Sequence, residues 1–214
     1  MSHIEGNINS PLLREKHRRQ SDTSSRSAGI MLGNSTDGYG LVAILLHWLV
    51  ALTIVGLFSL GLWMVDLTYY DAWYKQAPDI HKGIGIMLFL VMLVRLVWRN
   101  LNDKPKAAAG VSELEQKLSR SLHWLFYGLI FAVMISGYLI STADGRPIDV
   151  FGLFMVPAMI WDLPDQADIA GNIHLALAIT LVSLAGLHAL AALKHHFINR
   201  DSTLLRMLRP ARKS

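Results

Sequence analysis

The chain has 214 residues, of which 52% are hydrophobic and only 17% charged, against about 25% charged in ordinary soluble domains, and its mean hydropathy is +0.35. Those values describe a membrane protein rather than a water-soluble domain, and no nucleic-acid partner is expected of it despite a formal net charge of +4. The absence of cysteine excludes disulfides, thiolate iron–sulfur clusters, zinc–thiolate centres and covalently attached haem.

In chain order, residues 1–37 are rich in Ser, Arg, Gly and Asn and show no apolar periodicity, which predicts a disordered tail. A secretory signal would need an apolar region of about 7–15 residues, and none precedes Leu41. The first apolar span runs from about Leu41 to Val65, with His47 its one strongly polar member, and is long enough to cross a hydrocarbon core of about 30 Å. Trp63, Tyr69, Tyr70, Trp73 and Tyr74 follow as an interfacial aromatic belt. The second span, about Ile80 to Trp98, carries Lys82 and Arg95 near its opposite ends, from which both side chains can snorkel to the two interfaces. The third covers about Leu122 to Ile140. A turn by composition follows at Thr142-Ala143-Asp144-Gly145-Arg146-Pro147, and the fourth span covers about Ile173 to Leu193. The predicted organisation is a tail at 1–37, a four-helix transmembrane domain at 38–199 and a basic tail at 200–214.

Orientation follows from the 20 lysines and arginines. Five precede Leu41, six lie between Arg95 and Arg120, and six between Lys194 and Lys213, whereas the other two connections hold only Lys75, Lys82 and Arg146. Those two connections also carry eight aspartates: Asp66, Asp71, Asp79, Asp144, Asp149, Asp162, Asp165 and Asp168. The positive-inside rule then predicts cytoplasmic termini and two acidic loops on the opposite side, the periplasm of a bacterial inner membrane.

This topology assigns a depth to each histidine. His47 and His188 both fall near the cytoplasmic ends of their spans, and His81 and His174 both fall near the outer ends. On span 4, fourteen residues bring His188 back to within roughly 40° of the face of His174, about 21 Å along the axis. Two level pairs from three helices are what two bis-histidine haems need, and without cysteine such haems are held non-covalently, as haem b is. The fold class predicted is therefore an all-α, four-helix transmembrane bundle enclosing two b-type haems. The interval between the levels on span 4 offers only Thr180 and Ser183 as polar residues, which suits electrons better than ions. His123 at the start of span 3 is assigned an interfacial or haem-propionate role. His195 and His196 lie beyond span 4, either solvated or bonded to a propionate or quinone headgroup. Arg95 and Lys82 are candidate propionate contacts at the inner and outer level, and Arg146 on the outer turn could meet an electron donor. Gly83, Gly85, Gly128 and Gly137 are positions where a helix or porphyrin could approach closely. Two non-redox classes remain open: a receptor or scaffold, which has no use for level histidine pairs, and a proton or metal transporter, which would need a polar path between them.

The stretches Leu46-His47-Trp48-Leu49, Ile80-His81-Lys82-Gly83-Ile84-Gly85, Leu93 to Arg99, Gly186-Leu187-His188-Ala189, Leu193-Lys194-His195-His196-Phe197 and Asp201 to Met207 resemble the bacterial cytochrome b561 family, in order and spacing, from about Gly38 to Arg209. The resemblance implies a four-helix respiratory cytochrome with two b haems, ligated at His47, His81, His174 and His188, that exchanges electrons with the ubiquinone pool. It pairs His47 with His188 and His81 with His174, leaving span 3 without a ligand. At least one member is a superoxide oxidase, passing an electron from superoxide to ubiquinone. Superoxide is an anion, and the outer connections, with three basic residues against eight acidic ones, would repel it. The expected function is thus transmembrane electron transfer between the quinone pool and a periplasmic donor or acceptor, with superoxide oxidation as the alternative.

Overall fold

The apolar stretches fold as four long helices in a computed structural model that describes residues 29–107 and 110–212. They are α1 (Leu41–Met64), α2 (Gln76–Leu101), α3 (Glu113–Ser141) and α4 (Gln166–Phe197), each long and apolar enough to cross a membrane. The four-helix class expected from sequence is the one observed. α2, α3 and α4 outrun their apolar spans, and for α3 a polar cap rather than hydropathy sets the start. Ser112 starts α3 nine residues before the apolar stretch through a capping box: its hydroxyl accepts from the Glu115 N–H at 3.3 Å, and Glu115 Oε2 accepts from the Ser112 N–H at 2.9 Å. Such a cap stabilises a helix end by about 1 kcal/mol. At the other end of the bundle α4 places Asp168 in its first turn and Lys194, His195 and His196 in its last, each sign opposing the helix dipole.

The bundle is apolar outside as well as inside. Leu52 is 66% exposed and Leu190 62%, an arrangement that lipid rather than water would cover. The buried cluster is small: Val50 from α1, Leu88 and Met92 from α2, Tyr127 and Ile130 from α3, and Leu181 from α4. It occupies mid-depth. Leu181 is seven residues from both His174 and His188, about 10 Å from each along the axis. A dry layer contributed by all four helices thus separates the two histidine levels. Trp63 packs 6.3 Å from Trp73, and Tyr69 lies 6.0 Å from both Tyr70 and Tyr74, so the aromatic belt forms two exposed clusters at one end.

One element is unforeseen. Ile148–Val150 (β1) and Phe154–Val156 (β2) make a small antiparallel hairpin, with Ile148 opposite Val156 and Val150 opposite Phe154. Ile148 and Val150 are buried, and β1 packs on α2. At the tip Phe151 adopts a left-handed φ of 55°, and its ring lies on Gly83, where a Cβ would come within 2.5 Å. Gly83 therefore admits a hairpin rather than a helix, while Gly85 and Gly128 face open space.

Residues 1–28 of the expected N-terminal tail, and 213–214, lie outside the described residues. Residues 29–37 and 200–212 are hydrogen-bonded to each other and to the bundle. Met31 N–H donates to Ala211 O, Ala211 N–H to Tyr39 O, and Lys106 N–H to Thr36 O, all at 2.9 Å. The indole of Trp48 donates to Met207 O at 2.8 Å, and Arg206 to Lys106 O at 2.6 Å. The chain's turn after α4 is fixed by Asp201, whose Oδ2 accepts from His195 Nδ1 at 2.6 Å and whose Oδ1 accepts from the Thr203 N–H at 2.8 Å. The Asp201 side chain is only 8% exposed. Burial pushes its carboxyl up, and the hydrogen bonds from Thr203 and His195 more than reverse that, holding it below the ordinary carboxylate value. A depressed folded pKa contributes stability that is complete above the unfolded value of about 3.9 and is lost as pH falls through the folded one. Thermal unfolding in detergent should show this contribution unchanged from pH 7 to about 5 and lost below about 4. Asp201→Asn is expected to cost about 1 kcal/mol at pH 7 and to weaken that acid limb.

Candidate functional site

At one level His81 of α2 faces His174 of α4, with ring centroids 6.2 Å apart and planes at 68°. Two imidazoles bound to opposite sides of one metal at about 2.0 Å per nitrogen have centroids roughly 6 Å apart, so the spacing fits a single iron between them. Each ring rests on a glycine of a neighbouring helix. A Cβ at Gly61 on α1 would meet His81 Cε1 at 3.3 Å, and one at Gly137 on α3 would meet His174 Cε1 at 3.0 Å. Gly137 was among the glycines singled out in the sequence; Gly61 was not.

His174 Nδ1 lies 2.9 Å from Val133 O and 3.1 Å from Ser136 Oγ, and the Ser136 hydroxyl donates to Val133 O at 2.9 Å. A carbonyl only accepts, so Nδ1 carries the hydrogen and Nε2 keeps the lone pair that a metal needs. Ser136 is itself buried. By contrast, His81 Nδ1 is buried with no hydrogen-bond partner, so nothing fixes that ring's tautomer.

At the other level the His188 ring lies 5.7 Å from that of His123 on α3 and 5.6 Å from Phe126, while His47 of α1 belongs to this level by its place on its helix. His123 Nδ1 donates to Ser119 O at 2.6 Å, leaving Nε2 bare. The depth argument already contained the signal for His123, since the cytoplasmic start of the third span is level with His47 and His188. Arg95 stands over this group: its Nη2 is 3.1 Å from His47 Nδ1, and its Nη1 donates to Leu46 O at 3.2 Å. Because guanidinium only donates, His47 Nδ1 is the acceptor and Nε2 carries the hydrogen. A metal held by Nε2 would require that hydrogen to move to Nδ1, and the Arg95 guanidinium would then no longer have a lone pair on the ring to meet. Arg99, one turn further, lies 5.1 Å over the rings of both Trp124 and Tyr127.

The remaining candidates are dispersed. Lys82 pairs with Asp79 at 2.8 Å, and Arg146 donates to Asp144 through Nε at 2.6 Å, so two of the three outer cations already have carboxylate partners. His196 packs on Phe197 at 4.8 Å. A cleft of about 390 Å³ opens between the start of α2 and the hairpin, lined by Trp73, Asp79, Lys82, Asp149 and Phe151 among others.

The family model described as prokaryotic cytochrome b561 matches residues 38–210. Cytochrome b561 homolog 2 of Escherichia coli K12 is 49% identical over 82% of this chain and 93% of its own length. The probable superoxide oxidase CybB of Yersinia pestis is 34% identical over 79% and 95% respectively. Cytochrome b561 homolog 1 of Escherichia coli K12 is 28% identical over 65% and 78%.

Proposed function

The chain belongs to the prokaryotic cytochrome b561 family of membrane electron-transfer proteins, and from that premise we propose that it passes electrons across the bacterial inner membrane between the ubiquinone pool and a periplasmic donor or acceptor. Both termini are then cytoplasmic, as the distribution of lysine and arginine requires. Two b haems, when bound, supply the one-electron chemistry. The chain's own residues hold and insulate them: His81 with His174 at the outer level and His47 with His188 at the inner. The 6.2 Å facing of His81 and His174 is the observation that supports this reading most directly.

Insulation comes from the layer of Val50, Leu88, Met92, Ile130 and Leu181 between the levels. A transporter would need polar groups there. Thr180 spends its hydroxyl on Ala176 O at 2.8 Å, within its own helix, and Thr180 and Ser183 both lie on exposed surface. Arg95, once its contact with His47 is given up, is the inner propionate partner, whereas Lys82, the outer candidate, is held by Asp79 at 2.8 Å. At the cytoplasmic mouth, His195 donates through Nδ1 to Asp201, leaving Nε2 to exchange a hydrogen with a quinone headgroup.

Superoxide oxidation is the second reading, favoured by the 34% identical relative. Against it stands the acidic outer face, two of whose three cations, Lys82 and Arg146, are already paired. Proteoliposomes test both. Ubiquinol in the bilayer should reduce membrane-impermeant ferricyanide severalfold faster than in liposomes holding haem-free protein; equal rates would remove the electron-transfer reading. Superoxide-dependent reduction of ubiquinone no faster than that control would remove the second reading alone.

A further inference from the structure

The two histidine levels are built unlike each other, and the difference lies in the groups that touch the histidines. On α3, the helix that contributes no ligand to the outer pair, Val133 and Ser136 form a buried acceptor for His174 Nδ1–H at 2.9 and 3.1 Å. An imidazole whose N–H is held by acceptors has a more electron-rich Nε2, which favours the ferric over the ferrous state of a bound iron. At the inner level the contact has the opposite sign. Arg95 brings a guanidinium to 3.1 Å from His47 Nδ1, and that group stays cationic at any accessible pH. Whether it faces the ring or a propionate, a fixed positive charge beside the same iron favours the less positive ferrous state.

We propose that these contacts set the direction of flow: Ser136 and Val133 hold the His81–His174 level at the lower potential and Arg95 holds the His47–His188 level at the higher, so that an electron entering outside runs downhill to the cytoplasmic level. The inference rests on the two-haem reading above. The step balances as one electron, with the outer ferrous iron oxidised to ferric and the inner ferric iron reduced to ferrous, and no proton moves. Ser136 acts through His174, and Arg95 acts as a fixed charge beside the inner level; both are positioning residues.

Spectroelectrochemical titration of the purified protein tests it, with His174→Ala and His188→Ala assigning each wave. The lower wave should vanish in His174→Ala. Ser136→Ala should raise that wave and leave the upper one, while Arg95→Gln should lower the upper wave and leave the lower. Ser136→Thr and Arg95→Lys, which keep the hydroxyl and the charge, should restore wild-type values. A tenfold change in the ratio of ferric to ferrous affinity is about 59 mV for a one-electron couple, and each of these shifts is expected to be of that order. Two waves that ignore both residues, or an upper wave belonging to His174, overturn the gradient alone. A wild-type chain with one haem and one wave overturns the two-haem reading and the gradient with it. Should Ser136→Ala lose haem, the contrast between Arg95→Gln and Arg95→Lys still decides the sign of the gradient.

Discussion

Alanine at His174 is expected to halve the haem b content of the detergent-purified protein, and alanine at His188 to halve it through the other level, with the double variant losing all. The expectation of two independent halves comes from geometry. The two positions are about 21 Å apart on one helix, and the layer around Leu181 lies between them. Sites so far apart with no shared partner respond additively. His81→Ala should match His174→Ala, since these two rings face each other at 6.2 Å. The inner level poses a sharper choice, because the imidazole seen beside His188, at 5.7 Å, is that of His123 rather than His47. If His47 is the ligand, His47→Ala loses the inner haem and His123→Ala keeps both. The reverse pattern would transfer the ligand role to His123 and leave Arg95 as the partner of a free histidine. Pyridine haemochrome counts on each variant read this directly. A variant of His81, His174 or His188 that loses both haems, or none, would contradict the paired levels.

How much of this was legible in advance varies with how local each cause is. Helix existence was legible because apolar runs of about twenty residues have no other outcome in a membrane. The histidine levels were legible because a fixed rise of about 1.5 Å per residue turns sequence spacing into depth once charge bias sets the orientation. Helix ends were not, since α3 begins at a Ser112–Glu115 cap outside the apolar stretch. The hairpin escaped because three-residue strands carry too little alternation to detect, and its tip depends on Phe151 accepting a left-handed φ. Residues 29–37 read as tail because their partners, around Ala211, lie at the far end of the chain. Partners of the histidines were likewise hidden. Gly61, Ser136 and Val133 are ordinary membrane-helix residues until the packing of α1 on α2 and of α3 on α4 brings them to His81 and His174.

Gly137→Val should reproduce the haem loss of His174→Ala without touching a ligand. The seat of the His174 ring is the backbone of α3 itself: a Cβ at 137 would stand 3.0 Å from Cε1 and 3.3 Å from Nδ1. The ring cannot retreat cheaply, because moving it breaks the contacts of Nδ1 with Val133 O and Ser136 Oγ and widens or skews the 6.2 Å facing with His81. Overpacking of this kind costs about 1–3 kcal/mol, against about 1 kcal/mol that replacing a helical glycine by alanine returns. Gly137→Ala should therefore weaken retention of the outer haem, and the branched side chain of valine should abolish it. Gly128 provides the control, since it lies on the same helix and faces open space. Gly128→Ala should keep both haems and gain slightly in thermal stability. The inner haem should survive in all three variants, because His47, His123 and His188 lie beyond the dry layer. Full haem content in Gly137→Val would mean that His174 does not sit against α3 when iron is bound, and the hydrogen-bonding role of Ser136 would fall with that seat.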